Sequence, residues 1–176
     1  MKMTKFFAAL FAVAAMFAAC DGPNNGGGVI IGGDEDSTEV VLNIPTVAKP
    51  AAGQTTVVLF VPEDTPAGCY AVGSFDWNEK NTEKMFTAVE GADEGWVAYT
   101  FDWTEGLEFK VLAIPSDPAV APGWSYQWGK NMDPENDLEE DNVVILQGTG
   151  EFVLENQGQP KLKGLADGGV CFIHVK

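Results

Sequence analysis

The chain has no arginine, a single histidine and three cysteines among its 176 residues. Without arginine it lacks the planar donor that recognises phosphate bidentately, and its 10 lysines face 26 acidic residues for a net charge of −16. Such a surface repels nucleic acid and anionic headgroups, so nucleic acid is not an expected partner. The acidic balance on its own promotes solubility and specifies no cationic partner. The one histidine, His174, alternates with Val170 and Phe172, and a Ser-His-Asp or Cys-His arrangement would require it to leave a strand. The 26 acidic residues offer many carboxylate pairs, none of which stands out as a glycoside-hydrolysing pair. Asp133, Glu135, Asp137 and Glu139 alternate like calcium-loop ligands, but Leu138 occupies the sixth position, where such a loop needs glycine. The chain therefore reads as a non-enzyme without metal or other cofactor.

Long apolar runs are confined to the start. Lys2 and Lys5 precede residues 6–19, an uncharged apolar stretch of 14 residues, too short for a membrane span and suited to a secretory signal. It ends in Met16-Phe17-Ala18-Ala19-Cys20, which resembles the lipobox of bacterial lipoproteins. That resemblance implies removal of residues 1–19 and lipidation of Cys20; ordinary cleavage after Ala-x-Ala is the alternative. Loss of Lys2 and Lys5 leaves 8 lysines against 26 acidic residues, a net charge near −18. Membrane contact then rests on lipid rather than charge. Residues 20–37 are rich in Gly, Asn and Asp, with Val29-Ile30-Ile31 as the only apolar break, and read as a flexible tether.

Residues 38–176 are enough for one domain with a substantial core. Helical periodicity sustained over ten residues is missing from them, which excludes an α/β reading. Short segments rich in Val, Phe, Tyr and Trp recur instead at 40–44, 56–61, 69–72, 96–103, 107–114, 142–146, 151–154 and 170–175, separated by Gly, Pro, Asn and Asp. This pattern predicts an all-β antiparallel sandwich. Within 96–103 the parity of Val97, Tyr99, Phe101 and Trp103 should face the core. Residues 78–85 could form one helical turn at most.

Three stretches carry the functional signal: Gly73-Ser74-Phe75-Asp76-Trp77, Glu108-Phe109-Lys110-Val111 and Gly123-Trp124-Ser125-Tyr126-Gln127-Trp128-Gly129. Tryptophans in glycine-bordered polar loops are either folded inward or kept for a flat apolar ligand. A pyranose ring is such a ligand, with a C–H face that lies on an indole and hydroxyls at its rim. For Trp77, Trp124 and Trp128 both readings stay open. Trp96 and Trp103 lie within strands and read as core. Lys110 alternates with Phe109 and Val111 and so points away from them, either to solvent or to a sugar.

The order of Tyr70-Ala71-Val72-Gly73-Ser74-Phe75-Asp76-Trp77, Met85, Gly95-Trp96-Val97-Ala98-Tyr99-Thr100, Gly106-Leu107-Glu108-Phe109-Lys110-Val111, the Trp124 to Gly129 stretch and Asp141-Asn142-Val143-Val144 resembles starch-binding modules. It is most similar to the carboxy-terminal modules of the SusE and SusF outer-membrane lipoproteins of Bacteroidetes. The resemblance implies an immunoglobulin-like β-sandwich that binds α-glucan without catalysis at the outer membrane. It places Trp77 and Trp124 as stacking platforms, Lys110 as the lysine of the central strand, Asn142 as a polar contact and Trp128 as platform or core. Two features depart from it: the 113–122 insert with its three prolines lengthens the approach to Trp124, and the chain has room for one module only. A scaffold bound to an outer-membrane transporter complex, with its tryptophans packed inside, is the alternative function. Cys69 and Cys171 lie in predicted strands, either paired across a loop of about 102 residues or as two buried free thiols.

Overall fold

The strict alternation of β6 (Trp96–Asp102) sets the two layers of the molecule. Phe101 is buried between them, and Val97, Tyr99 and Trp103 pack around the same core, while Trp96 is buried on the opposite face. The structure, a computed structural model, describes residues 28–31, 40–61, 68–127, 143–155 and 159–175. The signal segment, Cys20, Trp128, Asn142 and the calcium-like run from Asp133 lie outside them.

Eleven strands are described. Beside β6 they are β1 (Gly28–Ile31), β2 (Val40–Asn43), β3 (Gln54–Phe60), β4 (Cys69–Gly73), β5 (Thr87–Ala88), β7 (Phe109–Ala113), β8 (Val143–Gln147), β9 (Glu151–Glu155), β10 (Gln159–Lys163) and β11 (Val170–Val175). Beside the two-stranded β1-β2 sheet, the two larger sheets run β5-β6-β3-β11-β8 and β4-β7-β10-β9. They pack face to face as an all-β sandwich. Pairing is antiparallel except between β3 and β11, which run parallel in register from Thr56↔Val170 to Phe60↔His174.

Between the sheets lie Val57 and Leu59 of β3, Phe101 of β6, Ile173 of β11 and, from the other sheet, Ala71, Phe109, Ala113 and Leu162. Trp103 lies at the rim of this layer and donates its indole N–H to the Leu165 carbonyl at 2.7 Å. Two further apolar layers cover the outer faces. Leu42 and Ile44 lie over Val58, Trp96 and Phe172 on the outside of the five-stranded sheet, which is why strands there carry apolar residues on both parities. β1, the apolar break in the segment read as tether, pairs with β2 from Gly28↔Asn43 to Ile31↔Val40. His174 stays in β11, its ring tilted against Phe60 at 5.6 Å.

Cys69 and Cys171 belong to opposite sheets and are free thiols buried in the inner layer. Burial pushes both up to about 12. Since the thiolate is the reactive form, neither should be modified by a thiol reagent at pH 8 in the native chain, and both should react on unfolding. Labelling followed by mass mapping, with and without denaturant, checks this expectation; native labelling of either residue would contradict it.

Candidate functional site

Lys110, the loop that follows Trp77 and the described part of the third motif, up to Gln127, meet at the outer face of the β4–β7 pair. Gly73 closes β4 opposite Phe109. A Cβ on Gly73 would sit 2.3 Å from the Glu108 carbonyl oxygen and 2.7 Å from Phe109 Cβ, so glycine is required by the close approach of the two chains. The Ser74 N–H then donates to the Glu108 carbonyl at 2.8 Å, and the Glu108 N–H donates to Ser74 Oγ at 3.3 Å. The first two motifs are thereby fastened together. Phe75 turns inward to Phe101, with ring centroids 5.8 Å apart, and Trp77 is left 40% exposed.

The loop after Trp77 contains no helical turn. It is a chain of Asx turns: Asn78 N–H donates to Asp76 Oδ1 at 2.9 Å, Lys80 N–H to Asn78 Oδ1 at 3.1 Å and Glu83 N–H to Asn81 Oδ1 at 3.1 Å. Asn81 Nδ2 returns to Asp76 Oδ2 at 2.9 Å, closing the loop on itself. Tyr70, buried on the outer face of β4, donates its hydroxyl to the Glu79 carbonyl at 2.5 Å and holds the loop against the sheet. Burial, and then the nearby Glu79 charge, push the Tyr70 phenol up to about 12.

The third motif reaches the same face from the other side. After the proline-rich 113–122 segment, Trp124–Tyr126 forms a single 3₁₀ turn, and Gln127 bridges to Leu112 of β7. Trp124 is 38% exposed. A Cβ on Gly123 would lie 3.7 Å from Glu79 Cγ, so the turn that carries Trp124 abuts the loop that carries Trp77. Lys110 pairs with Val72 and is 7% exposed, its stem covered on the outer face. Its ammonium lies 6.0 Å from the Trp124 ring centroid, at the outer reach of a cation–π contact. Among the described residues no aromatic ring packs on either indole.

The structure therefore places Lys110 and Trp124 on one face, with the loop that carries Trp77 against the Trp124 turn and both indoles exposed, and the longer approach to Trp124 does not remove it from that face. Trp96 and Trp103 belong to the core layers. Sequence reading missed Tyr70, the Asx-turn chain and Gln127. The recurrence of Asp76, Asn78 and Asn81 at turn-forming spacings was the available signal for the second of these; nothing singled out Tyr70 or Gln127 within the stretches that contain them.

Hydrogen bonds from Asn81, and then from the Asn78 backbone, hold the Asp76 carboxyl below its ordinary value of 3.8. Because the folded value is the lower one, the loop gains this support in full above the ordinary carboxyl range and loses it as pH falls through the depressed value. Acid titration from pH 6 to 2 should change the Trp77 emission below about pH 4. In Asp76→Ala the loop should be loosened at every pH and that step should vanish; an unchanged step would refute the role of Asp76.

Comparison with known proteins finds no match for this chain among family models, characterised proteins or solved structures.

Proposed function

We propose that the protein is a non-catalytic glycan-binding lipoprotein of the outer membrane, an immunoglobulin-like sandwich of the SusE and SusF type, that holds starch-like α-glucan by stacking on Trp77 and Trp124. The observation that carries this reading is the pair of half-exposed indoles on adjoining loops with the Lys110 ammonium beside one of them. Large aromatic surface left in water on two separately anchored loops is costly for a structure that does not use it. An α-1,4-linked chain is curved. Platforms borne on two loops can tilt to follow such a curve, whereas tryptophans at alternate positions of one strand would share a plane and suit a flat β-1,4 chain.

If each stack contributes roughly 1 to 2 kcal/mol, by analogy with bases on aromatic side chains, and a few hydrogen bonds add about 1 kcal/mol each, the dissociation constant is roughly 0.05 to 1 mM. Weak single contacts suit capture, since many lipid-anchored copies on one polymer gain avidity through effective concentration. The alternative scaffold needs the tryptophans packed inside, and the exposure of Trp77 and Trp124 favours the binding reading over it.

Electrophoresis of the purified chain in gels with and without soluble starch tests the proposal. Retardation by starch, absent with a β-1,4-linked polysaccharide of equal concentration, is expected. Equal mobility in all gels would reject it, and release of reducing sugar would reject the non-catalytic part.

A further inference from the structure

Gln127 is 1% exposed, and among the described residues neither Oε1 nor Nε2 of its amide has a hydrogen-bond partner. A primary amide has two donors and two acceptor lone pairs, and leaving all of them unmade in the interior is costly enough to need an explanation. A position with only a packing role would be better filled by an apolar side chain.

The strand register shows where this amide stands. Leu112 of β7 is opposite Tyr70 on one side and opposite Gln127 on the other. Residues directly opposite each other in a sheet project to the same face, and so do residues two apart on one strand. Tyr70, Leu112, Gln127 and Lys110 therefore share the outer face, which also carries the Trp124 turn. Tyr70 already donates its hydroxyl to Glu79, and Leu112 has no polar group to offer. The turn that Gln127 closes is a single one, held by Tyr126 N–H to the Gly123 carbonyl at 3.0 Å and Gln127 N–H to the Trp124 carbonyl at 3.3 Å, without a side-chain cap.

We infer that Gln127 is the specificity-determining polar group of this face, its amide taking two neighbouring hydroxyls of the sugar that stacks on Trp124. The inference rests on the glycan-binding reading above and names the ligand feature read there. The carbonyl oxygen and one N–H on the same edge of an amide form an acceptor and donor pair, which matches two hydroxyls on adjacent ring carbons. Because the amide is 1% exposed, this assignment requires the uncapped 124–126 turn to move aside when the sugar binds. Glucan linked 1,4 keeps the hydroxyls on carbons 2 and 3 free along its whole length, whereas 1,3-linked glucan has no free adjacent ring pair inside the chain. The amide thus selects 1,4-linked over 1,3-linked chains.

The test compares wild type and Gln127→Met, a near-isostere without hydrogen-bonding power, as full-length chains titrated calorimetrically with maltoheptaose and with laminariheptaose. Gln127→Met should melt no lower than wild type, bind maltoheptaose about tenfold more weakly and lose the preference between the two sugars. Unchanged maltoheptaose affinity and preference would overturn the assignment of Gln127 while leaving the stacking site intact. Wild type that binds neither sugar would overturn the parent reading, and this one with it. Should the variant melt lower, the Gln127 side-chain NH₂ resonance of wild type decides: a shift during the maltoheptaose titration supports the assignment, and an unmoved resonance overturns it.

Discussion

Trp124→Ala should reduce starch retardation to the level of a starch-free gel while leaving the melting temperature nearly unchanged. The indole is 38% exposed and no ring packs on it among the described residues, so truncation costs the fold little. Loss of a stacking partner, judged by bases on aromatic side chains, is worth about 1 to 3 kcal/mol, and each 1.4 kcal/mol is tenfold in affinity. From a starting constant near the millimolar range, that carries binding out of reach of a gel assay. Trp77→Ala should act the same way, because its loop abuts the Trp124 turn through Glu79 and Gly123. The contrast that makes the experiment informative is Trp96→Ala. That ring is buried against Phe60 at 5.1 Å and Phe172 at 6.3 Å, so its loss should lower stability and leave the affinity of the folded fraction as it was. A melting loss for Trp124→Ala matching that of Trp96→Ala would mean that Trp124 is a packing residue, and the proposed site would fall.

The sandwich was readable where one face of a strand is wet and the other dry. β6 alternates over seven residues, and its inward parity came out as expected. β4 was recognised only as an apolar run, because the Tyr70-anchored loop covers its outer face and all five residues are buried. β10 was missed, since Gln159-Pro160-Lys161-Leu162-Lys163 looks polar and proline argues against a strand. It is tolerated because β7 reaches β10 only at Leu162↔Phe109, so Pro160 lies beyond the stretch that β7 pairs. Lys161 is drawn into the sheet by Glu108 at 2.9 Å, an ion pair that no local pattern announces. β5, two residues long, is below what periodicity can detect.

The exposure of the two loop tryptophans was legible to the same limited degree. Tryptophans beside glycines in polar loops mark themselves, and the alternation of Lys110 with Phe109 and Val111 gave its direction correctly. What the sequence did not disclose is convergence. Gly73 meeting Phe109 and Gln127 meeting Leu112 are pairings across 36 and 15 residues, fixed by the sandwich and not by any neighbour in the chain. The unpartnered Gln127 amide is likewise a property of burial, which only the assembled face creates.

Phe101→Ala should be the most damaging single truncation of the core, and it separates the inner layer from the binding face. The ring is 1% exposed and stacks on Phe109 of the opposite sheet, with centroids 4.6 Å apart and planes inclined by 23°. Tyr99, Phe75 and Phe86 surround it at 4.7, 5.8 and 6.2 Å. Removing a phenyl ring from such a position costs about 3 to 5 kcal/mol through lost transfer energy and the cavity left between two sheets that cannot close on it. For a domain of this size the melting temperature should fall by roughly 10 to 15 °C. Phe101→Leu, which fills most of the volume, should cost clearly less. Lys110 and Trp124 lie on the far face of β7, so the molecules of Phe101→Ala that remain folded at low temperature should bind glucan within about twofold of wild type. Phe75 is one route by which the damage could travel, because it joins Phe101 to the start of the Trp77 loop. Measurement of glucan affinity at 10 °C, where the variant is still folded, decides the point. Affinity that collapses together with stability would show that the Trp77 loop takes its shape from the inner core and not from Asp76, Tyr70 and the chain of Asx turns.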